Sequence, residues 1–299
     1  MKKIFASLLL VSAILLAASS NAQNSKSGKV IVVNSSEENL ANKTYKFSSL
    51  NGVRAGGVFQ VEVTRGRSGK VTVYAPAKTL EHIIVSESGG ILILRVENGY
   101  NISDSKNKWF SRTKNLKGPV KVVADLASLT KIDLSGAATL MCRESFSEKS
   151  CKIDLSGAAK ARLNKLSADI IDFDLSGAAE VVIAGSWDRA KCDLSGASKL
   201  FLTGNVSDKL DADLSGASIL NASGKTDNTA LDCSGASIFK GSSFQTKELA
   251  IELSGASKAD INVTKRISGE VSGASTLVYH GDPDKVLIER SRGAAVTHK

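Results

Sequence analysis

The strongest constraint in this chain is a hexapeptide that it repeats. Asp133-Leu-Ser-Gly-Ala-Ala recurs in nearly the same form starting at Asp154, Asp174, Asp193, Asp213, Asp232, Glu252 and Glu270, at spacings of 21, 20, 19, 20, 19, 20 and 18 residues. So steady a period marks a solenoid in which each repeat is one coil resting on the last. The residues flanking each acid are apolar, as in Ile132/Leu134, Phe173/Leu175 and Ile251/Leu253, so the acid between them points outward. A second alternating pair follows each glycine, for example Leu140/Cys142, Val181/Ile183 and Leu200/Leu202. Period-two patterning twice within about 20 residues leaves no room for an ordinary helix. Each coil should therefore run strand, turn, strand, turn and a third short strand. The leucine-rich-repeat signature and the calcium-binding Gly-Gly-x-Gly-x-Asp nonapeptide are both missing. The expected fold is all-β, a single-stranded parallel β-helix with coils of about 20 residues.

Each part of the hexapeptide has an expected role. Gly136, Gly157, Gly177, Gly196, Gly216, Gly235, Gly255 and Gly273 mark the same sharp corner in every coil, where a residue without Cβ accepts positive φ. The alanines that follow, from Ala137 to Ala274, are expected to stack in that corner, and Ser135 and its equivalents to form a hydroxyl column. Acids stacked about 5 Å apart repel one another. Lys131, Lys152 and Lys191, each two residues before an acid, offset part of this. The column could be a row of divalent-cation sites or a set of carboxylates accepting hydrogen bonds from the turns. We favour the second reading, because hard cations draw several oxygen ligands from one loop.

Outside the repeats, residues 1–22 read as an export signal, with Lys2 and Lys3, an apolar stretch from Ile4 to Ala18, and small residues around Ala22. Residues 23–45 are expected to be a leader or edge strand, 46–130 irregular β coils, and 131–299 the regular repeats. No later stretch approaches the roughly 20 apolar residues that cross a bilayer. The last repeat, Ile288 to Ala295, is a degraded copy in which Arg290 replaces the inward leucine, as suits an end coil that discourages edge-to-edge stacking. Cys142, Cys151, Cys192 and Cys233 fall at inward positions; Cys142 and Cys151 bracket a short polar loop and are the candidate disulfide.

The formal charge is 39 − 30 = +9, or 37 − 30 = +7 without Lys2 and Lys3. For an exported protein this suits anionic glycans or lipid surfaces better than nucleic acid. His82, His280 and His298 are scattered, leaving little for a histidine-based metal site, and no metal or cofactor is expected. The candidate binding element is residues 98–118, where Tyr100, Trp109 and Phe110 lie among Lys108, Arg112 and other cations. Aromatic faces interleaved with cations suit stacking on sugars and pairing with anions.

The eight acid-Leu-Ser-Gly-Ala copies, with Phe47 to Val63 and the strand ending in Ile91-Leu-Ile-Leu94, resemble the head GIN domain family of auto-transporter adhesins. The resemblance runs from about Phe47 through nearly all of the remaining chain. It implies a right-handed β-helix, an exported or envelope-associated protein of Bacteroidetes-like bacteria, and no established catalytic residues. The expected function is a non-catalytic, adhesin-like protein of the periplasm, outer membrane or cell surface, displaying a binding face for anionic glycan or another envelope component. The alternative is a β-helix polysaccharide lyase or glycoside hydrolase, which needs acids in unequal environments within a groove. The uniform acidic column argues against it.

Overall fold

A computed structural model describes residues 40–102 and 114–299. It is a parallel β-solenoid of about eight turns. The described chain starts with β1 (Leu40–Lys46), β2 (Gly52–Gly57), β3 (Phe59–Arg65) and β4 (Lys70–Pro76). One helical turn, Ala77–Leu80, leads to β5 (Ile83–Ser88) and β6 (Ile91–Val96). A small parallel pair, β7 (Tyr100–Ile102) and β8 (Lys114–Leu116), precedes β9 (Val120–Leu126) and β10 (Lys131–Gly136). The repeats then form β11 (Thr139–Leu155), β12 (Lys160–Leu175), β13 (Glu180–Leu194), β14 (Lys199–Leu214), β15 (Ile219–Cys233), β16 (Ile238–Leu253) and β17 (Lys258–Val271). Shorter strands β18 (Thr276–His280), β19 (Lys285–Arg290) and β20 (Ala295–His298) end the stack.

The repeat sets the stacking register. Asp133 lies beside Asp154, Asp154 beside Asp174, and so on through Asp193, Asp213, Asp232, Glu252, Glu270 and Glu289. The flanking apolar residues form the inner wall: Ile132, Ile153, Phe173, Cys192 and Ile251 are at most 1% exposed, as are Leu134, Leu175, Leu214 and Leu253. Burying one such side chain contributes about 1.5–3 kcal/mol, and the ladder repeats it coil after coil.

The expected two turns per coil reduce to one. Only the Ser-Gly-Ala corner interrupts the strands; the other bends lie inside continuous strands of 14 to 17 residues, where the pairing register shifts, as between Cys142 and Ser145 or Leu163 and Ala168. Local irregularities absorb the bend while neighbouring coils stay bonded. This also removes the expected polar loop between Cys142 and Cys151. Both residues belong to β11 and enter the core on either side of such a bend, so they stand as free, buried thiols, like Cys192 and Cys233, and not as a disulfide. Burial pushes the Cys142 thiol up to about 11 and Cys233 to about 12.

At the corner, Gly196 has φ +68°, and a Cβ there would lie 2.8 Å from Gly177 O. The side chains that fill the corner are not those expected. Ala137 and its equivalents are exposed, whereas the next residue in each copy is buried: Ala138, Ala159 and Ala179 in the early coils, then Ser198, Ser218, Ser257 and Ser275. Ser135, Gly136 and Ala137 are all exposed at the corner, but parity is kept across it, so Leu134, Ala138 and Leu140 face inward. Among the described residues the hydroxyls of Ser198, Ser218 and Ser257 are buried without a partner, while Ser275 donates to Ser272 O. A second glycine ladder, Gly185, Gly204 and Gly224, serves another bend of the middle coils. A Cβ at Gly204 would overlap Gly185 O.

The N-terminal segments combine coils with a cap. β2 and β3 lie directly against β10 and β11, with Arg54 beside Asp133, although 79 residues separate them. The intervening chain supplies the coil beneath, with β6 parallel to β2 and β9 parallel to β3. Antiparallel strands close this end: β4 pairs with β9, β1 with β4, and β5 with β6.

Two substitutions test this account. Gly196→Ala should destabilise by at least about 1–2 kcal/mol, the cost of a left-handed conformation for a residue with Cβ, before the contact with Gly177 O is relieved. Ser218→Ala installs the alanine that earlier coils use and removes an unpartnered buried hydroxyl, so it should stabilise by about 1 kcal/mol. Thermal unfolding followed by circular dichroism measures both; a stabilised Gly196→Ala or a strongly destabilised Ser218→Ala would contradict the corner geometry.

Candidate functional site

Two outward faces carry the chemistry. The first is the acidic column. Toward its N-terminal end it is partly neutralised: Arg54 Nε contacts Asp133 Oδ2 at 2.7 Å, Lys131 and Lys152 lie 3.7 and 3.2 Å from Asp154, and Lys191 lies 2.9 Å from Asp193, while Asp174 between them has no ion-pair partner among the described residues. Arg54 stands in the acidic column itself; the lysines come from the column two residues earlier, which reads Lys131, Lys152, Asp172, Lys191, Asp211, Ala230, Ala250, Ser268 and Leu287 in stacking order. From Asp211 onward that column supplies no cation, and Lys209 pairs with Asp211. Among the described residues Asp213, Asp232, Glu252 and Glu270 have no ion-pair partner. Partial burial and the neighbouring Asp232 and Asp193 carboxylates raise the Asp213 pKa above the usual carboxylate range.

The expectation that these carboxylates organise the turns is not met. Among the described residues the turn donors are used by the backbone: Ser195 N–H donates to Leu175 O at 2.9 Å and Ala197 N–H to Gly177 O at 2.7 Å. Half-buried corner serines likewise reach back one coil, Ser272 Oγ donating to Leu253 O at 3.1 Å and Ser215 Oγ to Leu194 O at 3.4 Å. Asp213, Asp232, Glu252 and Glu270, with Ser234, Ser254 and Ser272, line a shallow depression of about 320 Å³. Among the described residues no three His, Cys, Asp or Glu side chains converge as a metal-ligand group. Each carboxylate instead occupies its own coil.

The second face follows the corner and was not identified in the sequence, because the alternation of these strands marks their inward members. Its outward positions read Thr139, Lys160, Glu180, Lys199, Ile219, Ile238 and Lys258 in one column. The adjacent column reads Met141, Arg162, Val182, Phe201, Asn221, Lys240 and Asp260. Phe201 is 37% exposed. Five cations against Glu180 and Asp260 give 5 − 2 = +3 for these two columns. Arg162 contacts Glu180 at 3.5 Å. The available signal was an apolar residue at an outward position, as at Val182 and Phe201, where the core does not call for one.

Of the aromatic-basic segment, Trp109, Phe110, Lys108 and Arg112 lie outside the described residues. Tyr100 is half-buried, stacked on His82 with ring centroids 3.7 Å apart, and Lys114 Nζ lies 5.7 Å from its ring centre. Ile102 and Leu116, paired between β7 and β8, are buried.

If the unpaired acids only repel, Asp213→Asn should stabilise the protein near neutral pH, by at most about 1 kcal/mol once exposure and screening are discounted. The sign follows from linkage: a carboxyl whose pKa is raised by folding costs stability when ionised, and the cost fades as pH falls through its folded pKa toward the unfolded value. The variant's advantage in Tm should therefore shrink on acidification. An advantage that grew as pH fell would show that Asp213 is held by a favourable contact.

The fold has counterparts among solved structures. The chain is similar to a putative adhesin from Parabacteroides distasonis ATCC 8503 (TM-score 0.64, 13% identity, covering 88% of this chain and 98% of that one). A putative adhesin from Parabacteroides merdae ATCC 43184 aligns with TM-score 0.59 at 13% identity, over 87% of this chain and 96% of that one. A structure described as a putative lipid binding protein from Parabacteroides distasonis ATCC 8503 aligns with TM-score 0.59 at 14% identity, over 88% and 98%. At such identities the likeness is one of fold. A search of curated proteins found no match. The family model described as "Putative auto-transporter adhesin, head GIN domain" matches residues 49–204 and 202–283, more than half of the chain. The sequence repeat and the solenoid it builds agree with that match, and the chain belongs to the head GIN domain family.

Proposed function

We propose that this protein is a non-catalytic, adhesin-like component of the cell envelope or surface whose rigid solenoid presents a binding face to an anionic glycan or another anionic envelope component. The observation that carries this reading is the face containing Phe201. An aromatic side chain 37% exposed beside Lys199, with Val182 outward on the preceding coil and Lys160, Arg162, Lys240 and Lys258 in the same two columns, offers stacking surface and cations together. The core does not require outward apolar residues there, and aromatic-cation groupings suit ligands with apolar faces and acidic substituents. The acidic column on the neighbouring face repels the same ligand and so orients the molecule on an anionic surface. The family name, the adhesin and lipid-binding descriptions of the structural neighbours, and the export signal read in residues 1–22 support the same setting.

The test is binding of the purified protein to a panel of acidic and neutral glycans and to anionic and neutral vesicles, with surface labelling of intact cells. Affinity for the anionic probes should fall as salt rises. Lys199→Glu combined with Lys240→Glu should weaken it by at least about tenfold, while Asp213→Asn leaves it unchanged or improves it. Trp109→Ala tests the aromatic-basic segment as a second contact. Failure to bind any anionic probe, or indifference to the double reversal, would overturn this reading of the face.

A further inference from the structure

The two ends of the solenoid differ. The N-terminal end is closed by antiparallel strands, whereas β19 pairs with β17 alone and β20 with β18 alone among the described residues. A strand paired on one side directs the N–H and C=O of alternate residues outward with no partner, a template for another strand. β19 also carries two of the three large hydrophobic side chains that are most exposed in the described protein, Val286 at 40% and Leu287 at 43%.

The sequence of this edge, Asp284-Lys285-Val286-Leu287-Ile288-Glu289-Arg290, reads as a palindrome in chemistry. Turned end for end about Leu287, it sets Asp284 opposite Arg290, Lys285 opposite Glu289, Val286 opposite Ile288, and Leu287 opposite itself. In an antiparallel pair, residues directly opposite share a face. Strand parity agrees: Lys285, Leu287 and Glu289 project outward in the stacking columns, whereas Val286, Ile288 and Arg290 continue the inward columns of Ile267, Gly269 and Val271. Every opposed pair is then apolar with apolar or cation with anion.

We propose that β19 is the interface of a two-fold homodimer in which it pairs antiparallel with β19 of a second copy, centred on Leu287. Charge complementarity selects this occupant. A parallel coil continuing the solenoid with the same repeat would set another acid beside Glu289 and an apolar residue beside Arg290, which disfavours open-ended stacking, so the end coil discourages a fibre while admitting a closed pair. An isologous interface uses the same edge twice and leaves no free edge on β19.

The test is sedimentation equilibrium of the full chain over about a hundredfold concentration range, wide enough to populate a small interface. Wild type should be a monomer–dimer system, and Leu287→Lys, which places two like charges on the two-fold axis, should be monomeric. Lys285→Glu and Glu289→Lys alone should each raise the dimer Kd at least about tenfold, because symmetry turns each reversal into two like-charged pairs. Combining the two restores opposite signs and should return Kd to within about threefold of wild type. All three side chains are exposed, so thermal unfolding and circular dichroism of each monomeric variant should match wild type at a concentration where both are monomers. A wild-type chain that stays monomeric throughout, a dimer indifferent to these substitutions, assemblies growing beyond two, or a double reversal that fails to restore pairing would each overturn the proposal.

Discussion

The structure depends on a backbone ladder that passes through the corner of every coil without a break. From Ala137 to Ala274, the alanine N–H donates to the carbonyl of the stacked glycine one coil back, at 2.6–2.7 Å, and from Ser156 to Ser272 the serine two residues earlier makes the same kind of bond to the carbonyl of a leucine, or of Cys233 in the case of Ser254. A turn that satisfied its own polar groups would leave those of the coil below unpaired, at a cost of about 1–3 kcal/mol for each buried group. Passing the bonds to the next coil brings successive glycines into close contact, with Gly177 O 2.8 Å from where a Gly196 side chain would begin. The glycine, the small residue beyond it and the constant repeat length are consequences of that proximity.

Once the corner fixes the register, identical side chains are obliged to stack, whatever their mutual energy. This favours the apolar positions, where Leu175, Leu194 and Leu214 pack on one another. It penalises the acidic ones. The protein offsets the penalty at one end, through Arg54, Lys131, Lys152 and Lys191, and leaves it standing from Asp213 to Glu270. In the function proposed above, a row of like charges that the fold does not need acts on the molecule's surroundings. Together with the cationic and apolar face around Phe201, it gives the solenoid two sides of opposite character.

The regular coils were legible because inward positions on both sides of each acid are apolar, and a strand can bury only alternate residues. Counting in twos from Leu134 puts Ala138 and not Ala137 inward, and the structure keeps that parity across the corner although Gly136 itself is exposed. The candidate disulfide failed for a related reason, since a polar stretch between two inward cysteines was read as a loop, whereas β11 bends inside a continuous ladder. The first coil was harder to see. Val53-Arg-Ala-Gly-Gly57 occupies the repeat position, but Arg54 stands where the acid should be, and 79 residues separate it from its stacked neighbour. Of the functional surface, the acidic column was visible as a pattern, while its unpaired half depends on which residue the neighbouring coil places alongside.

The in-step stacking has a consequence for length. Because every coil meets its neighbours through the same columns, removing or adding one whole repeat joins surfaces that already match. The molecule can then grow or shrink in increments of one strand spacing, about 4.8 Å, with the cap at one end and the final edge strand at the other unchanged. Copy number becomes a setting for reach, so that related chains could hold the same two termini at different distances by counting coils, as a ruler is cut to a mark.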